Sequence, residues 1–197
     1  MDSFEYLITL VSVIAGLGIA RALSGLARLL NARDRITVSW IPICWTFNVL
    51  LWLVAYWWFT FLYSSFEGWT PGLHIFVLIY AGAIFFLLAL LHPESIEDGH
   101  DMLQHLVDNR KIFFGMLLTV AIIDVVDTWL KYRFGLAVPP LGRYLALIVP
   151  WIVFSAVAMS VRSARFHGAF AVGFLVCISM WQLFSISGIL DVISRSY

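Results

Sequence analysis

The stretch from position 74 to position 91 reads HIFVLIYAGAIFFLLALL and contains no aspartate, glutamate, lysine or arginine. An α-helix of this length spans about 27 Å, close to the ~30 Å hydrocarbon thickness of a lipid bilayer. Because a helix satisfies its own backbone hydrogen bonds, such an apolar segment is stable in lipid. The stretch therefore predicts a membrane-spanning helix.

Five further stretches have the same character, and prolines, glycines or charged residues separate them. Together the stretches predict six transmembrane helices, at residues 4–30, 38–63, 74–91, 111–130, 144–161 and 168–190. The chain is 62% hydrophobic and only 12% charged, which is too apolar for a soluble surface. We expect one all-α domain over residues 1–197, a polytopic membrane helical bundle that contacts the lipid bilayer.

Basic residues are distributed unequally between the two sides of the predicted bundle. The side that holds the connections after the first, third and fifth spans, which we call the inner side, carries seven lysines and arginines, against four on the other. The seven are Arg28, Arg33, Arg35, Arg110, Lys111, Arg162 and Arg165, and the four are Lys131, Arg133, Arg143 and Arg195. Cytoplasmic loops carry an excess of basic residues, so the pattern predicts that both termini lie outside.

Several classes of function are disfavoured by composition and motifs. The net charge is zero, so the chain has no basic surface that would attract nucleic acid. Cys44 and Cys177 have no metal-ligand spacing, and no catalytic motif is present, so we expect neither an enzyme nor a cofactor. His92 and His167 stand at span ends on the inner side, where we expect solvated side chains rather than haem ligands.

Tryptophan and tyrosine residues are concentrated near the expected ends of the spans. In the second span, Trp40 and Trp45 lie at one end and Trp57, Trp58 and Tyr63 at the other. Aromatic side chains of this kind anchor helices at the membrane interface. We interpret them as interfacial anchors rather than as a stacking site for a ligand.

The first span carries small residues at every fourth position, which form a ridge of Ser12, Gly16, Ala20 and Ser24. Small residues allow close approach of helices in lipid, so we expect this ridge to pack inside the bundle or to form a homo-oligomer interface. Arg21 is unusually deep for a cation and shares a helix face with Arg28. It either provides a fixed positive charge facing a cavity or an anionic headgroup, or it extends its head to the inner interface.

Parts of the chain are similar to a known group of proteins. The sequences FEYL at 4–7, GLGI at 16–19, LSGLARLL at 23–30, and NRKIFFG at 109–115 after an acidic loop resemble a widespread family of small, uncharacterised bacterial multi-spanning membrane proteins. The resemblance implies the bacterial inner (plasma) membrane as the location. It implies no activity and no site residues.

Two acidic residues lie inside the fourth span. Asp124 and Asp127 are three residues apart and share a helix face, with Asp124 close to the expected bilayer midplane. A carboxylate there should be protonated, paired or facing water. In the sixth span Ser179, Gln182 and Ser185 form a polar strip, which predicts an ion or solute pathway together with the two acids and Arg21. A structural interhelical salt bridge or hydrogen bond is the alternative, and Asp127 has Lys131 four residues away.

The connection at 92–110 is an acidic loop that contains histidines. Glu97, Asp101 and His105 have a spacing on a helix that suits a divalent cation, although no zinc motif is present. A juxtamembrane helix with Met102, Leu103 and Leu106 against the membrane explains the segment equally well.

Two functions of different classes remain. The first is a small membrane channel or transporter, for an ion or small solute, whose polar pathway runs near Asp124. The alternative is a membrane-embedded accessory, scaffold or sensor subunit whose 92–110 loop binds a soluble partner and whose intramembrane charges are structural.

Overall fold

The computed structural model describes residues 3–93, 97–136 and 138–194, with side chains up to position 183. Over this part the chain forms seven α-helices without a named strand. They are α1 (Ser3–Ala32), α2 (Trp40–Thr60), α3 (Pro71–Leu91), α4 (Met102–Asp108), α5 (Arg110–Arg133), α6 (Leu141–Ala158) and α7 (Ala164–Ser194). A short 3₁₀ helix, Phe61–Ser65, continues α2.

Six of these helices are long and apolar enough to cross a membrane, counting only the described residues. The prediction of an all-α polytopic membrane helical bundle is therefore confirmed. The helix bounds differ from the predicted spans by a few residues; for example, α7 begins at Ala164, four residues before the predicted start. The seventh helix, α4, is too short to span a membrane and lies within the predicted 92–110 loop.

Polar side chains define where several helices begin. The hydroxyl of Ser39 accepts a hydrogen bond from the backbone N–H of Ile41 at the start of α2. Thr70 accepts from the N–H of Leu73 at the start of α3, where Pro71 occupies the first helical position. Such caps satisfy backbone donors that have no partner inside the helix.

The second helix is the centre of the bundle. It packs against α1, α3 and α7, while α3 also packs against α1 and α5, and α5 against α6. Because successive spanning helices alternate in direction, α2 and α7 begin at the inner side, whereas α3 and α6 begin at the outer side. The first helix lies at the edge of the bundle and, at 30 residues, is about 45 Å long, longer than the bilayer core is thick.

The predicted small-residue ridge of α1 does not pack inside the bundle. Ser12, Gly16, Ala20 and Ser24 are exposed, and a Cβ at Gly16 would meet no atom within 4 Å. The close approach is made instead by the neighbouring face, where a Cβ at Gly18 would lie 2.9 Å from Leu53. The ridge as a homo-oligomer interface stays a prediction.

A cluster of aromatic side chains fills the inner half of the bundle. Trp45 is fully buried, and its ring centroid lies 5.1–5.5 Å from those of four phenylalanines of α5 and α7. We call this set the inner aromatic cluster: Trp45, Phe113, Phe114, Phe170 and Phe174. The prediction that Trp45 and Tyr63 are interfacial anchors is wrong, because both face neighbouring helices and are buried; Trp40 and Trp58 are exposed as anchors should be.

The two loops between α1 and α2 and between α3 and α4 pair with each other on the inner side. Thr37 forms an isolated parallel bridge with Asp101, and the N–H of Gly99 donates to Arg35 O at 2.8 Å. Gly99 adopts φ 81°, a conformation that glycine reaches without strain. The exposed side chains of Arg35 and Asp98 form an ion pair at 3.2 Å.

The hydrophobic residues of α4 are covered by the protein itself. Met102 and Leu106 are buried, and α4 packs against α2 and α5. The expectation that these two side chains lie against the membrane is therefore wrong. The short helix closes the inner end of the bundle, because its apolar face packs against α2 and α5 instead of against lipid.

Candidate functional site

Asp124 lies in the interior of the bundle and accepts two hydrogen bonds from tyrosines. The hydroxyl of Tyr80 on α3 donates to Oδ1 at 2.6 Å, and the hydroxyl of Tyr144 on α6 donates to Oδ2 at 2.9 Å. Each carboxylate oxygen therefore has one donor, and the two donors come from helices on either side of α5. Hydrogen bonds to a charged acceptor are stronger than neutral ones, so these contacts fix the position of the carboxylate.

The network extends from Asp124 into α2. Trp52 donates its indole N–H to the hydroxyl of Tyr80 at 3.0 Å. The ring of Tyr56 lies 4.4 Å from that of Tyr80, and its hydroxyl donates to the carbonyl oxygen of Val77 at 2.6 Å. Tyr80 of α3 and Tyr144 of α6 thus hold the carboxylate directly, and Trp52 of α2 is linked to it through Tyr80.

Asp127 is neutralised by a basic residue one turn further along α5. Its Oδ2 forms an ion pair with Lys131 Nζ, and its Oδ1 accepts from the hydroxyl of Tyr63 at 3.0 Å. The side chains of Asp127 and Lys131 are 6% and 5% exposed, and the ammonium lies 5.0 Å from the ring centroid of Tyr63. The i,i+4 pair that the sequence suggested for Asp127 is therefore present.

A cavity of about 80 Å³ adjoins both carboxylates. We call it the carboxylate pocket, and its lining residues are Trp52, Ala55, Tyr56, Phe59, Leu62, Tyr80, Asp124, Asp127, Thr128, Lys131, Val138, Pro139, Tyr144, Leu147, Trp151, Ile178 and Trp181. Val138 and Pro139 belong to the connection before α6, so the pocket extends to the outer end of the bundle. This space is large enough for several water molecules.

The charges around the carboxylate pocket are unequal. Lys131 is already paired with Asp127, and no described lysine, arginine or histidine forms an ion pair with Asp124. When ionised, the two acids and one lysine leave a net negative charge in a pocket with aromatic walls. Such a site favours a proton or another small cation and disfavours an anion.

Two of the three residues of the polar strip predicted on the sixth span, Ser179 and Gln182, do not line this pocket. Gln182 donates its amide N–H to the backbone carbonyl of Leu51 at 3.2 Å, which is a contact between α7 and α2. From α7, Ile178 and Trp181 face the pocket instead, and Ser179 is not among the lining residues. Ser185 lies outside the residues whose side chains the structure describes.

Arg21 lies at the inner end of the bundle, away from Asp124. Its Nη2 donates to the carbonyl oxygen of His92 at 2.8 Å, immediately after α3 ends. Arg21 falls inside the predicted first span because α1 is longer than the bilayer core is thick. In the structure, Arg21 is level with the inner end of α3, and α1 continues beyond it. The structure does not bring Arg21 together with the two acids.

The expectation that the histidines at the span ends are solvated is wrong. His92 is 1% exposed and His167 is wholly buried. The Nε2 of His92 lies 3.0 Å from Thr46 Oγ1, and the ring of His167 stacks on Phe114 at 5.1 Å. Both imidazoles are covered because they face inward between helix ends, which hydropathy alone does not reveal.

The weak metal candidates of the acidic loop do not come together as a site, and two of them have other local contacts. Asp101 caps α4, accepting from the N–H groups of Leu103 and Gln104 at 2.9 and 3.0 Å. His105 has its ring 5.2 Å from that of His100. Over the described part of the chain, no three His, Cys, Asp or Glu side chains, Glu97 included, come together as a possible metal site.

Sequence reasoning missed the tyrosines that hold the two acids. Tyr80 stands in the middle of the apolar stretch 74–91, where its hydroxyl has to find a polar partner. Tyr63 and Tyr144 stand near span ends, where interfacial anchoring explains them as well. A tyrosine deep inside an apolar span was thus the available signal for a polar network.

Known proteins give no further guide to this arrangement. Comparisons of the chain with models of protein families, with known proteins and with solved structures found no match. The geometry and chemistry of the carboxylate pocket are therefore what indicate its function.

Proposed function

We propose that this protein is a membrane carrier for a small cation, a proton included, and that Asp124 is the group that binds it. The observation that supports this most strongly is the placement of Asp124. Its carboxylate borders a pocket that reaches the outer end of the bundle, with two tyrosine donors and no paired cation among the described side chains. Ionisable groups at this depth in a membrane protein commonly mark ion pathways.

The size and walls of the pocket limit the ligand. A volume of about 80 Å³ accommodates a proton with water, a partly hydrated metal cation or a very small organic cation. Trp52, Tyr80 and Trp151 place aromatic rings around the space, and aromatic faces attract cations. A small ligand therefore fits this space best.

A carrier fits the structure better than an open channel. The residues that line the pocket belong to the outer half and the middle of the bundle, whereas the inner aromatic cluster closes the inner half with buried rings. A continuous polar route would therefore require these rings to move.

The decisive experiment is cation flux into liposomes that contain the purified protein. We expect uptake by the wild-type protein of a proton, Na⁺, K⁺ or tetramethylammonium under an imposed gradient, and loss of uptake in Asp124→Asn. The matched control is Asp34→Asn, which changes an 88% exposed carboxylate in the same way and should leave uptake unchanged. Absence of flux for all four cations from folded wild-type protein, or equal flux in Asp124→Asn, contradicts the proposal.

The alternative function is an accessory, scaffold or sensor subunit that binds a soluble partner on the inner side. It is favoured by the acidic surface of the 92–110 segment, where Glu97, Asp98, Asp101 and Asp108 are exposed. In that case the contacts of Asp124 are structural, and Asp124→Asn lowers stability without a flux to lose.

We also propose that the protein lies in a bacterial inner membrane with both termini outside, as a homo-oligomer. The basic residues of the inner side and the resemblance to bacterial membrane proteins support the location. The exposed small-residue ridge of α1 supports association with a second copy. Labelling of single cysteines placed at either terminus of intact cells would test the orientation.

A further inference from the structure

Two arginines of α1 face the inner end of α3. Arg21 and Arg28 are seven residues apart and share a helix face, with Gly25 between them. A Cβ at Gly25 would lie 2.3 Å from Cγ of His92, so only glycine lets the imidazole rest directly on the backbone of α1. Arg21 donates to His92 O at 2.8 Å, as basic side chains do at helix C-termini.

Several polar atoms of these residues are buried without a partner. Among the described residues, no hydrogen-bond acceptor serves Arg21 Nε, Arg28 Nε or Arg28 Nη2, and His92 Nδ1 is likewise unpartnered. No described acid forms an ion pair with either arginine. Buried guanidinium N–H groups without acceptors are costly, so their convergence calls for a partner that supplies negative oxygen atoms.

His92 contributes polarity without adding a third charge. Burial first, and then the charges of Arg28 and Arg21, lower the pKa of His92 to about 4, so the ring is neutral at pH 7. Its Nε2 lies 3.0 Å from Thr46 Oγ1. Because the Thr46 hydroxyl donates to the carbonyl oxygen of Pro42 at 3.0 Å, it accepts from Nε2–H of His92, and Nδ1 is left as an acceptor. The site thus carries two uncompensated positive charges beside a neutral imidazole.

We propose that Arg21 and Arg28 form, beside His92, a binding site for a phosphate group between α1 and the inner end of α3, which we call the phosphate site. Guanidinium groups bind phosphate oxygens through paired N–H donors. The site stands where a spanning helix ends and α1 continues toward water, the level at which phospholipid phosphates lie. A lipid headgroup and a free phosphate or phosphorylated solute share this chemistry. The proposal is independent of Asp124.

The position of Arg28 makes it the better residue to test. Arg21 also caps α3, so its removal would disturb the helix end. Arg28 makes no hydrogen bond or ion pair with the described residues, and two of its nitrogens are buried. Removing its charge should therefore weaken anion binding more than it weakens the fold.

The experiment measures the melting temperature of the full-length protein in neutral detergent during three titrations. The added probes are phosphatidylglycerol, phosphatidylcholine and inorganic phosphate. Wild type, Arg28→Gln, Arg28→Lys and the control Arg33→Gln are compared, since Arg33 is an exposed inner-side arginine. Native mass spectrometry of the same samples counts retained phospholipid.

We expect the phosphate-bearing probe to raise the melting temperature of the wild type up to a plateau. In Arg28→Gln the apparent affinity for that probe should fall by about tenfold or more, which corresponds to about 1.4 kcal/mol of binding free energy. Arg28→Lys keeps the charge but not the paired donors, so it should fall between the two, and Arg33→Gln should match the wild type. Stabilisation by inorganic phosphate identifies a free phosphate or phosphorylated solute; stabilisation by phosphatidylglycerol alone identifies a lipid headgroup. No stabilisation by any probe, or equal stabilisation of the wild type and both Arg28 variants, overturns the proposal.

Discussion

The hydroxyl of Tyr80 lies 2.6 Å from Oδ1 of Asp124, although the two residues are 44 positions apart in the chain. The same hydroxyl accepts the indole N–H of Trp52, so Tyr80 is the link between α2 and α5. Tyr144 bonds the other oxygen of Asp124 and the side chain of Thr128, both on α5, and makes no link to α2. Removal of the two hydroxyl groups therefore leaves different polar atoms without a hydrogen-bond partner.

Tyr80→Phe should lower the free energy of unfolding more than Tyr144→Phe. The first change leaves both the buried Trp52 Nε1 and one oxygen of Asp124 without a partner. The second leaves one oxygen of Asp124 and the hydroxyl of Thr128, which is only half-buried. With ~1–3 kcal/mol for each buried group that loses its partner, we expect about 3 kcal/mol for Tyr80→Phe and about half of that for Tyr144→Phe. Denaturant unfolding in detergent, followed by circular dichroism, measures both; equal losses would contradict the linking role of Tyr80.

Lys131→Met should destabilise the protein strongly, because it leaves the charge of Asp127 buried without its cation. Breaking one side of a buried pair costs about 3–5 kcal/mol. The double variant Asp127→Asn with Lys131→Met removes both charges and should recover much of that loss. The same unfolding measurement on both single variants and the double variant gives the coupling free energy between the two residues. If the loss in the double variant equals the sum of the two single losses, the residues do not act as a pair.

Two glycines of α1 should respond oppositely to alanine. Gly25→Ala forces a methyl group against the ring of His92 and should lower the melting temperature by several degrees, since α1 and α3 must move apart. Gly16→Ala meets open space and improves helix propensity by up to ~1 kcal/mol, so it should leave the melting temperature unchanged or raise it. A reversed order would show that the imidazole does not rest on Gly25.

Gly16→Leu tests the exposed ridge as a contact between copies. A bulky side chain there would separate two helices that associate through small residues, while it faces open space within one chain. We expect a shift toward monomer in analytical ultracentrifugation in detergent, with Leu17→Ala, a neighbouring exposed position, as the control. An unchanged mass would exclude the ridge as the interface.

The burial of His92 predicts a pH-dependent part of stability. The pKa of its imidazole falls from 6.5 to about 4 in the folded protein, so between these values the unfolded chain binds a proton that the folded chain does not. Stability is therefore lost as the pH is lowered from about 6.5 to about 4, by up to about 3 kcal/mol. The unfolding free energies of wild type and His92→Gln should converge by about 2 kcal/mol between pH 7 and pH 4.5, whereas a constant gap would show that His92 titrates normally.

Hydropathy was sufficient to predict the fold class and the six spans, because lipid requires long apolar segments whatever their packing. The pair of Asp127 and Lys131 was also within reach, since i,i+4 neighbours on a helix meet without knowledge of any other helix. The partners of Asp124 were not, because Tyr80 and Tyr144 come from other helices. Which faces of the helices meet depends on tertiary packing, which one sequence does not reveal.

The same limit explains the errors at the span ends. Trp45 and His92 lie near helix ends in the sequence, and residues in such places usually meet headgroups or water. Here both side chains point toward neighbouring helices and are buried. The position of a residue along a helix was predictable, but the direction in which its side chain points from the helix axis was not. That direction determines whether the residue is an interfacial anchor or part of the core.

The packing of the inner aromatic cluster limits how fast the inner half of the bundle can rearrange. Its five rings pack tightly around Trp45, and tightly packed interiors switch between discrete arrangements rather than deform smoothly. Opening a route to the inner side would require the rings to rearrange as a set, a motion on the microsecond to millisecond scale or slower. In the proposed carrier, transport would therefore proceed in discrete turnovers that include this repacking of aromatic side chains.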